Sequence, residues 1–298
     1  MNISLKQLNV FIAITQHRTL SAASGSLCLS KAAVSLSLGE LERQLGHTLF
    51  DRVNNRLVLN QQGQLLLPLA DELISRANDI EQLFVSNNTL IGHLHIGASN
   101  TVGNQVVPLL LSRFREKYNH FNQTLVIANT EQVGQKLIDF ELDIGLIEGE
   151  LKQSNIKATP WFFDNMVVVA SPTHPLAKHR GITLQELEKQ AWLLREPGSG
   201  TREYFIKHLA ANLTHWKESF ELNTTEAIIN AASANLGLAC LSQLSIQSAI
   251  KDGRVVCLDF PLTTKRDYWL IVHNDKYQSP LVQKFIAFCL HYQGIKID

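Results

Sequence analysis

The stretch TLSAASGSLCLSKAAVSLSLGELERQLGHTLFDR, residues 19–52, constrains the fold of this chain more than any other. Ala22, Ala23 and Leu27 share one face of a short helix. Val34, Leu38, Leu41 and Leu45 recur at helical spacing in the next, with Ser30 placed to cap its start and Gly46 to stop it. Ahead of both, LKQLNVFIAITQH sets Leu5, Leu8, Phe11, Ile12 and Thr15 along one side of a further helix. Two short helices joined by a tight turn make a helix-turn-helix. The second opens with small side chains, as a recognition helix must if its first turns are to enter a major groove. Lys31, Ala32, Ser35 and Ser37 would then face DNA. FDRVNNRLVLNQQG reads as two short strands around Asn54-Asn55, a wing that offers Arg52 and Arg56 to phosphates. The same periodicities also fit a plain three-helix bundle with a surface hairpin.

Charge is informative only by region. The 298 residues carry 27 basic and 27 acidic side chains, so the net charge is zero. Residues 1–65 hold six basic groups against three acidic ones, a surplus of +3 that the remainder must balance. A small basic module joined to a larger acidic one follows, and the length itself asks for more than one domain. In GQLLLPLADELISRANDIEQLFVSNN the residues Leu66, Ala70, Leu73, Ala77, Ile80 and Phe84 alternate by four and three. That spacing predicts a coiled-coil seam and hence a homodimer, with Pro68 near the helix start; packing of the helix on its own domain is the lesser reading. No signal peptide or bilayer-length apolar run is read, so a cytoplasmic protein without membrane contact is expected. The four cysteines form no CxxC pair and are expected as buried thiols, and no metal site or cofactor is expected.

From about residue 92 strand and helix signals alternate. LHIGAS, TLVIAN and DIGLIE are apolar strands, separated by the helices VVPLLLSRFREKY and EQVGQKLIDF; MVVVASP, AWLLRE, SFELN, LACLS and VVCLDF form a second set. The class is α/β in two similar lobes, where ligands sit at the carboxyl ends of strands. Three hydroxyl-rich turns stand there: ASNTVGN with Ser99, Asn100 and Thr101; REPGSGTRE with Ser199 and Thr201; LNTTEAI with Thr225. Arg195 and Arg202 flank the second turn, which describes an anion cradle of hydroxyl and guanidinium donors. Glu148, ending a strand, pairs with an arginine in the empty site or accepts from a protonated ligand. Each turn is also an ordinary helix cap, and Arg202 also fits a surface ion pair with Glu203 or Glu196. GSGTR has neither P-loop spacing nor a nucleophile elbow, and no turn holds a nucleophile with a base, so an enzyme is not expected.

Together these residues resemble the LysR-type transcriptional regulators over essentially the whole chain. Ala22-Ala23, Ser30, Ala33-Val34-Ser35, Leu41-Glu42, Leu45-Gly46, Leu49-Phe50 and Arg52 fall in register with the DNA-binding signature of that family. The resemblance implies an N-terminal winged helix (1–62), a dimerising linker helix (63–90) and two Rossmann-like lobes similar to periplasmic binding proteins (91–298). Lobe 1 is expected at about 91–163 and 268–298 and lobe 2 at about 164–267, the final strand YWLIVHN crossing back to lobe 1. Gly39 inside the recognition helix, and Lys31 and Leu36 where the family often has glutamine and arginine, depart from the pattern and leave base preference open. The turns are similar to the YeiE-like subgroup, which implies sulfite as effector. Similar turns also occur in regulators of cysteine synthesis and carbon fixation, whose effectors are other anions or phosphorylated metabolites. By position the resemblance carries ligand binding to Ser99, Thr101, Glu148, Arg195, Ser199, Thr201, Arg202 and Thr225. It implies a homotetramer on a double-stranded DNA operator, contact with RNA polymerase, and a small anionic effector that alters DNA bending. A solute-binding protein is the rival that the effector half alone would fit.

Overall fold

The computed structural model describes residues 3–82, 90, 92–151, 153–260 and 265–292. Helix α1 (Leu5–His17) starts in a reciprocal capping box, in which Ser4 Oγ accepts from the Gln7 N–H and the Gln7 side chain accepts from the Ser4 N–H. Thr19 caps α2 (Leu20–Ser26) and Ser30 caps α3 (Lys31–Leu45), which Gly46 ends with a left-handed φ of 71°. Phe11, Ile14, Val34 and Leu41 are buried where these three helices meet. Strands β1 (Phe50–Val53) and β2 (Arg56–Leu59) pair antiparallel, and Asn54 and Asn55 take φ values of 48° and 61° as a two-residue primed turn requires. The chain therefore forms a winged helix.

Along α3, Lys31, Ala32 and Ser35 are exposed on one face together with Leu36 and Gly39. Ser37 departs from expectation: two positions beyond Ser35 it turns about 200° round the helix, to the flank of the buried Val34 and Leu41, and is half-buried. Arg52 and Arg56 are both exposed on the wing.

Helix α4 (Gln61–Gln82) begins earlier than the sequence pattern suggested, so Pro68 lies inside it. The Gln64 carbonyl thereby loses its helical partner. The row that α4 leaves exposed is Leu65, Leu69, Leu73 and Ile80, whereas Ala70 is wholly buried and Leu66 packs against the winged domain. The exposed row therefore differs from the expected Leu66, Ala70, Leu73, Ala77 and Ile80 spacing, because Leu67, Ala70 and Ile74 already serve the core of the winged domain. Phe84 lies outside the described residues.

In lobe 1, β3 (Leu94–Ser99) leads through α5 (Asn100–Gln105) and α6 (Val107–Tyr118) to β4 (Gln123–Ala128), and α7 (Thr130–Ile138) returns to β5 (Ile144–Glu148). Strand β3 pairs parallel with both β4 and β5. A long strand, β6 (Ile156–Ala170), then leaves the lobe. Lobe 2 follows as α8 (Leu184–Glu188), β7 (Ala191–Arg195), α9 (Gly200–Tyr204), β8 (Lys217–Leu222), α10 (Thr225–Ser233), β9 (Ala239–Ser242), α11 (Gln243–Lys251) and β10 (Val256–Cys257). Strand β7 pairs parallel with β8 and bridges the start of β9 at Trp192 and Leu238. Strand β11 (Lys265–His273) crosses back between β5 and β6, and α12 (Pro280–Leu290) packs on α6.

The lobes are joined by β6 and β11. Residues 156–165 of β6 pair with β11, whereas Met166 to Val169 pair with β9 in lobe 2. MVVVASP is therefore only the end of a strand whose first part was not read. IKATPWFFDN hid it because Pro160 breaks the pattern, and the pairing register shifts beside Pro160, where a missing N–H is tolerated. VVCLDF contracts to the two-residue β10. Two of the cysteines also depart from expectation: Cys28 and Cys257 are exposed, while Cys240 and Cys289 are buried.

Lobe 1 also touches the winged domain and α4. Arg18 pairs with Asp139 at 2.7 Å, and Phe140 is buried in the core of the winged domain. Lys276 lies 3.3 Å from Asp143 and 3.7 Å from Asp71 of α4, and donates to the Phe140 carbonyl at 2.8 Å.

Candidate functional site

Because β3 and β5 run parallel, their carboxyl ends share one edge of lobe 1. That edge sets Ser99 beside Glu148. The Ser99 hydroxyl donates to Glu148 Oε2 and accepts from the Glu148 backbone N–H at 3.0 Å, and the Thr101 N–H approaches Glu148 Oε1 at 3.4 Å. Ser99, Thr101 and Glu148 are at most 2% exposed. Burial pushes the Glu148 carboxyl above the usual carboxylate range; Arg266, the Thr101 N–H and Arg195 oppose the shift, and Asp164 adds to it. A carboxyl held neutral can donate a hydrogen bond as well as accept one. Asn100 stands apart, half-buried, with its carbonyl accepting from Asn104 one turn along α5.

Lobe 2 offers the end of β7 to the same seam. The Arg195 side chain is fully buried, and its Nη1 reaches Thr225 Oγ1 at 3.5 Å at the start of α10. Ser199 and Thr201 are buried at the start of α9, and the Ser199 hydroxyl makes no capping bond to that helix. Close approach is possible because both lobes present glycine: a side chain on Gly149 would meet the Gly200 Cα at 3.1 Å, and one on Gly200 would meet the Glu148 carbonyl oxygen at 2.3 Å.

Arg202 corrects the expected pair of arginines. Its guanidinium turns away to donate to the Arg195 carbonyl at 2.8 Å and to Glu218 at 3.0 Å, with Glu221 at 3.5 Å. It braces β7 and β8, because the third residue of α9 points back over the sheet. Neither of the neighbours suggested by sequence, Glu203 or Glu196, takes it.

The second arginine of the seam is Arg266, which sequence reading missed. It opens β11, is 3% exposed, and forms a two-pronged pair with the buried Asp164 opposite it on β6 at 3.1 and 2.8 Å. Its Nη1 also donates to Thr201 Oγ1 at 3.1 Å, and Tyr268 Oη donates to Asp164 at 2.6 Å. Burial works against the Arg266 charge, yet Asp164, Tyr268 and Glu148 together outweigh it and keep the group firmly protonated. The signal available in the sequence was the Asp164-Asn165 pair between the apolar runs PWFF and MVVVA. A cavity of about 800 Å³ lies between the lobes beside Gly149 and Gly200, with Thr130, Glu131, Tyr204, Lys207 and Arg266 on its walls. Ser99, Glu148, Arg195 and Thr225 do not line it. They occupy the closed part of the seam.

The arrangement offers binding groups: buried hydroxyls, a carboxyl raised by burial and a buried guanidinium at one seam. Burial also pushes the Cys240 thiol up to about 12, which keeps it protonated and unreactive. Among the described residues no group of three or more His, Cys, Asp or Glu side chains is placed to hold a metal ion. No described helix is long and apolar enough to cross a membrane.

Comparison with known proteins agrees with both halves. Residues 5–64 match the family model described as bacterial regulatory helix-turn-helix protein, lysR family, and residues 87–294 match the LysR substrate binding domain. The chain is 40% identical over 290 residues to the HTH-type transcriptional regulator YeiE of Escherichia coli K12, covering 97% of this chain and 98% of that one. A full-length OxyR variant from Pseudomonas aeruginosa superposes with a TM-score of 0.75 at 20% identity, covering 97% and 94% of the two chains. The regulatory domain of Synechocystis CcmR in complex with 2-PG superposes with a TM-score of 0.62 at 26% identity, covering 67% of this chain and 96% of that one. The matched relatives are regulators rather than enzymes. With a winged helix and a two-lobed effector domain each matched along its length, this chain belongs to the LysR family of DNA-binding transcriptional regulators.

Proposed function

We propose that the chain is a sensor of a small anion, with sulfite or a related sulfur oxyanion as the leading effector, which binds in the seam between the lobes and alters how the protein bends its operator. The observation that carries this reading is Arg195, a guanidinium wholly withdrawn from water at the lobe junction with the Thr225 hydroxyl beside it. A buried cation costs several kcal/mol unless an anion meets it; the Glu196 carboxylate does so at 2.7 and 2.9 Å, which supports the fork of Arg195 as a position for an oxyanion. Ser99 and Thr101, at Glu148, and Ser199 and Thr201, at the start of α9, add hydroxyls and N–H groups to the same seam, while Arg202 acts as the brace. Sulfite itself rests on the resemblance to the YeiE-like subgroup. A larger phosphorylated metabolite is the alternative, favoured by the cavity of about 800 Å³ beside Arg266 and by the ligand in the CcmR complex.

In this reading the exposed face of α3, with Lys31, Ala32 and Ser35, enters the major groove while Arg52 and Arg56 grip phosphates. The exposed Leu65, Leu69, Leu73 and Ile80 row of α4 forms the homodimer seam. Pairs of dimers make a tetramer spanning two half-sites in the cytoplasm. Ligand closes or reopens the lobes, changes the angle between the DNA-binding pairs and so changes contact with RNA polymerase; it can do so only through unequal affinity for the two states.

The test is a thermal-shift screen of the full chain against sulfite, sulfate, thiosulfate, phosphate and phosphorylated metabolites. A ligand at a hundred times its Kd adds about 2.7 kcal/mol of stability. A shift with sulfite that Arg195→Ala abolishes supports the leading reading. A flat response to sulfite with a shift from a phosphorylated metabolite moves the assignment to the alternative.

A further inference from the structure

We infer that Glu196 is a resident counter-anion for Arg195, which an incoming anion must displace, and that the displacement unties the two lobes at Asn129. The inference rests on the reading of this seam as an anion site. Arg195 donates from Nε to Glu196 Oε2 at 2.7 Å and from Nη2 to Glu196 Oε1 at 2.9 Å, so one edge of its fork is filled by the carboxylate next in sequence. This is the two-pronged geometry that an external oxyanion would adopt on the same edge. The partners differ in freedom: the guanidinium is 0% exposed and the carboxylate 21%, so Glu196 can swing to water while Arg195 cannot. Arg266 offers no such exchange, since its partner Asp164 is itself fully buried and also holds Tyr268.

Glu196 is engaged from the other lobe as well. Asn129, at the start of α7 in lobe 1, donates from Nδ2 to Glu196 Oε1 at 3.2 Å and reaches the Pro197 carbonyl at 3.4 Å. The same oxygen thus serves both Arg195 and Asn129. An anion that takes the fork of Arg195 releases Glu196, and the released carboxylate leaves Asn129 Nδ2 with only its longer contact to lobe 2, at Pro197. Occupancy of the site is thereby read as the loss of a bond between lobes, and the resident carboxylate sets the concentration at which that happens.

The experiment is isothermal titration of the full chain with sulfite, repeated with inorganic phosphate, for wild type, Glu196→Gln and Asn129→Ser. Glutamine has nearly the shape of glutamate but not its charge, so Arg195 is left uncompensated and the anion should bind at least tenfold tighter, about 1.4 kcal/mol. Serine retains the helix-capping role of Asn129 while losing its reach to Glu196, and a smaller tightening of about threefold is expected. Equal or weaker binding by Glu196→Gln overturns the inference and makes Glu196 a positioning residue for Arg195, while the anion site stands. Should Glu196→Gln fail to fold, Asn129→Ser decides alone: tighter binding supports the inference, and unchanged or weaker binding overturns it. Absence of binding to either probe by all three proteins overturns the anion reading and this inference with it.

Discussion

Substitution of Gly200 by alanine should drive the lobes apart by an amount the structure specifies. The new Cβ would stand 2.3 Å from the Glu148 carbonyl oxygen and 3.0 Å from both its carbon and Thr130 Oγ1. Ordinary contact needs roughly 3.5 Å, so lobe 2 must retreat by about 1 Å, because a backbone carbonyl within a sheet cannot yield. The retreat stretches two bonds between lobes past useful length, the Glu131 N–H to the Gly198 carbonyl at 3.1 Å and Asn129 to Glu196 at 3.2 Å. At about 0.5–1.5 kcal/mol each, about 1–3 kcal/mol is lost. Helix propensity alone argues the other way, since alanine is favoured over glycine in a helix by about 1 kcal/mol. The net expectation is a loss of about 0–2 kcal/mol, or a fall in Tm of up to roughly 8 °C at the 2–4 °C per kcal/mol usual for domains of this size. Thermal and urea denaturation of the full chain measure it, with DNA binding by the winged helix as a control for folding. A Gly200→Ala protein more stable than wild type by the propensity term would refute the close-contact argument.

Glu148 has its carboxyl raised by burial, so its contribution to stability is fully present below the unfolded value of about 4.3 and is lost as pH rises through its folded value. Glu148→Gln should therefore gain stability relative to wild type as pH rises above the unfolded value, and denaturation curves that stay parallel on raising the pH would contradict the raised carboxyl. Arg202→Ala should lower stability by about 1–2 kcal/mol through loss of the β7–β8 brace yet leave anion affinity within about threefold, whereas Arg195→Ala should abolish binding; calorimetry on both separates the roles. Arg52→Ala and Arg56→Ala should each weaken DNA binding evenly across sequences and reduce the salt slope by about one, and a selective loss on particular sequences would show base reading instead. If the exposed row of α4 is the proposed homodimer seam, Leu69→Glu should lower the sedimentation coefficient of the wild-type chain, and an unchanged coefficient would refute that seam.

How much of this was legible in the sequence depended on how local the cause was. The winged helix was readable because Ser30, Gly46 and the Asn54-Asn55 turn each act within a few residues of themselves. The alternating strands and helices of the two lobes were readable for the same reason. Ser37 was misplaced by a local error, since a shared small size was taken for a shared face. The departure of the exposed row on α4 followed from tertiary competition: Ala70 fits a coiled-coil seam by spacing, but α1 packs against it first. Arg266 lay beyond reach because its partner Asp164 is 102 residues away, brought opposite only by the crossing of β6 and β11. Arg195 and Arg202 look equivalent as neighbours of one turn. Their divergence depends on where β8 supplies Glu218 and Glu221, which no spacing within REPGSGTRE encodes.

The most direct test of an anion sensor that acts on DNA shape is energy transfer between dyes at the two ends of a duplex selected by the wild-type chain. Sulfite is titrated into the complex, and the titration is repeated with phosphate and with the Arg195→Ala protein. The account predicts a saturable change in end-to-end distance with one anion, absent in Arg195→Ala although that variant still binds the duplex. A distance that stays constant at saturating anion, or that changes equally without Arg195, would contradict it.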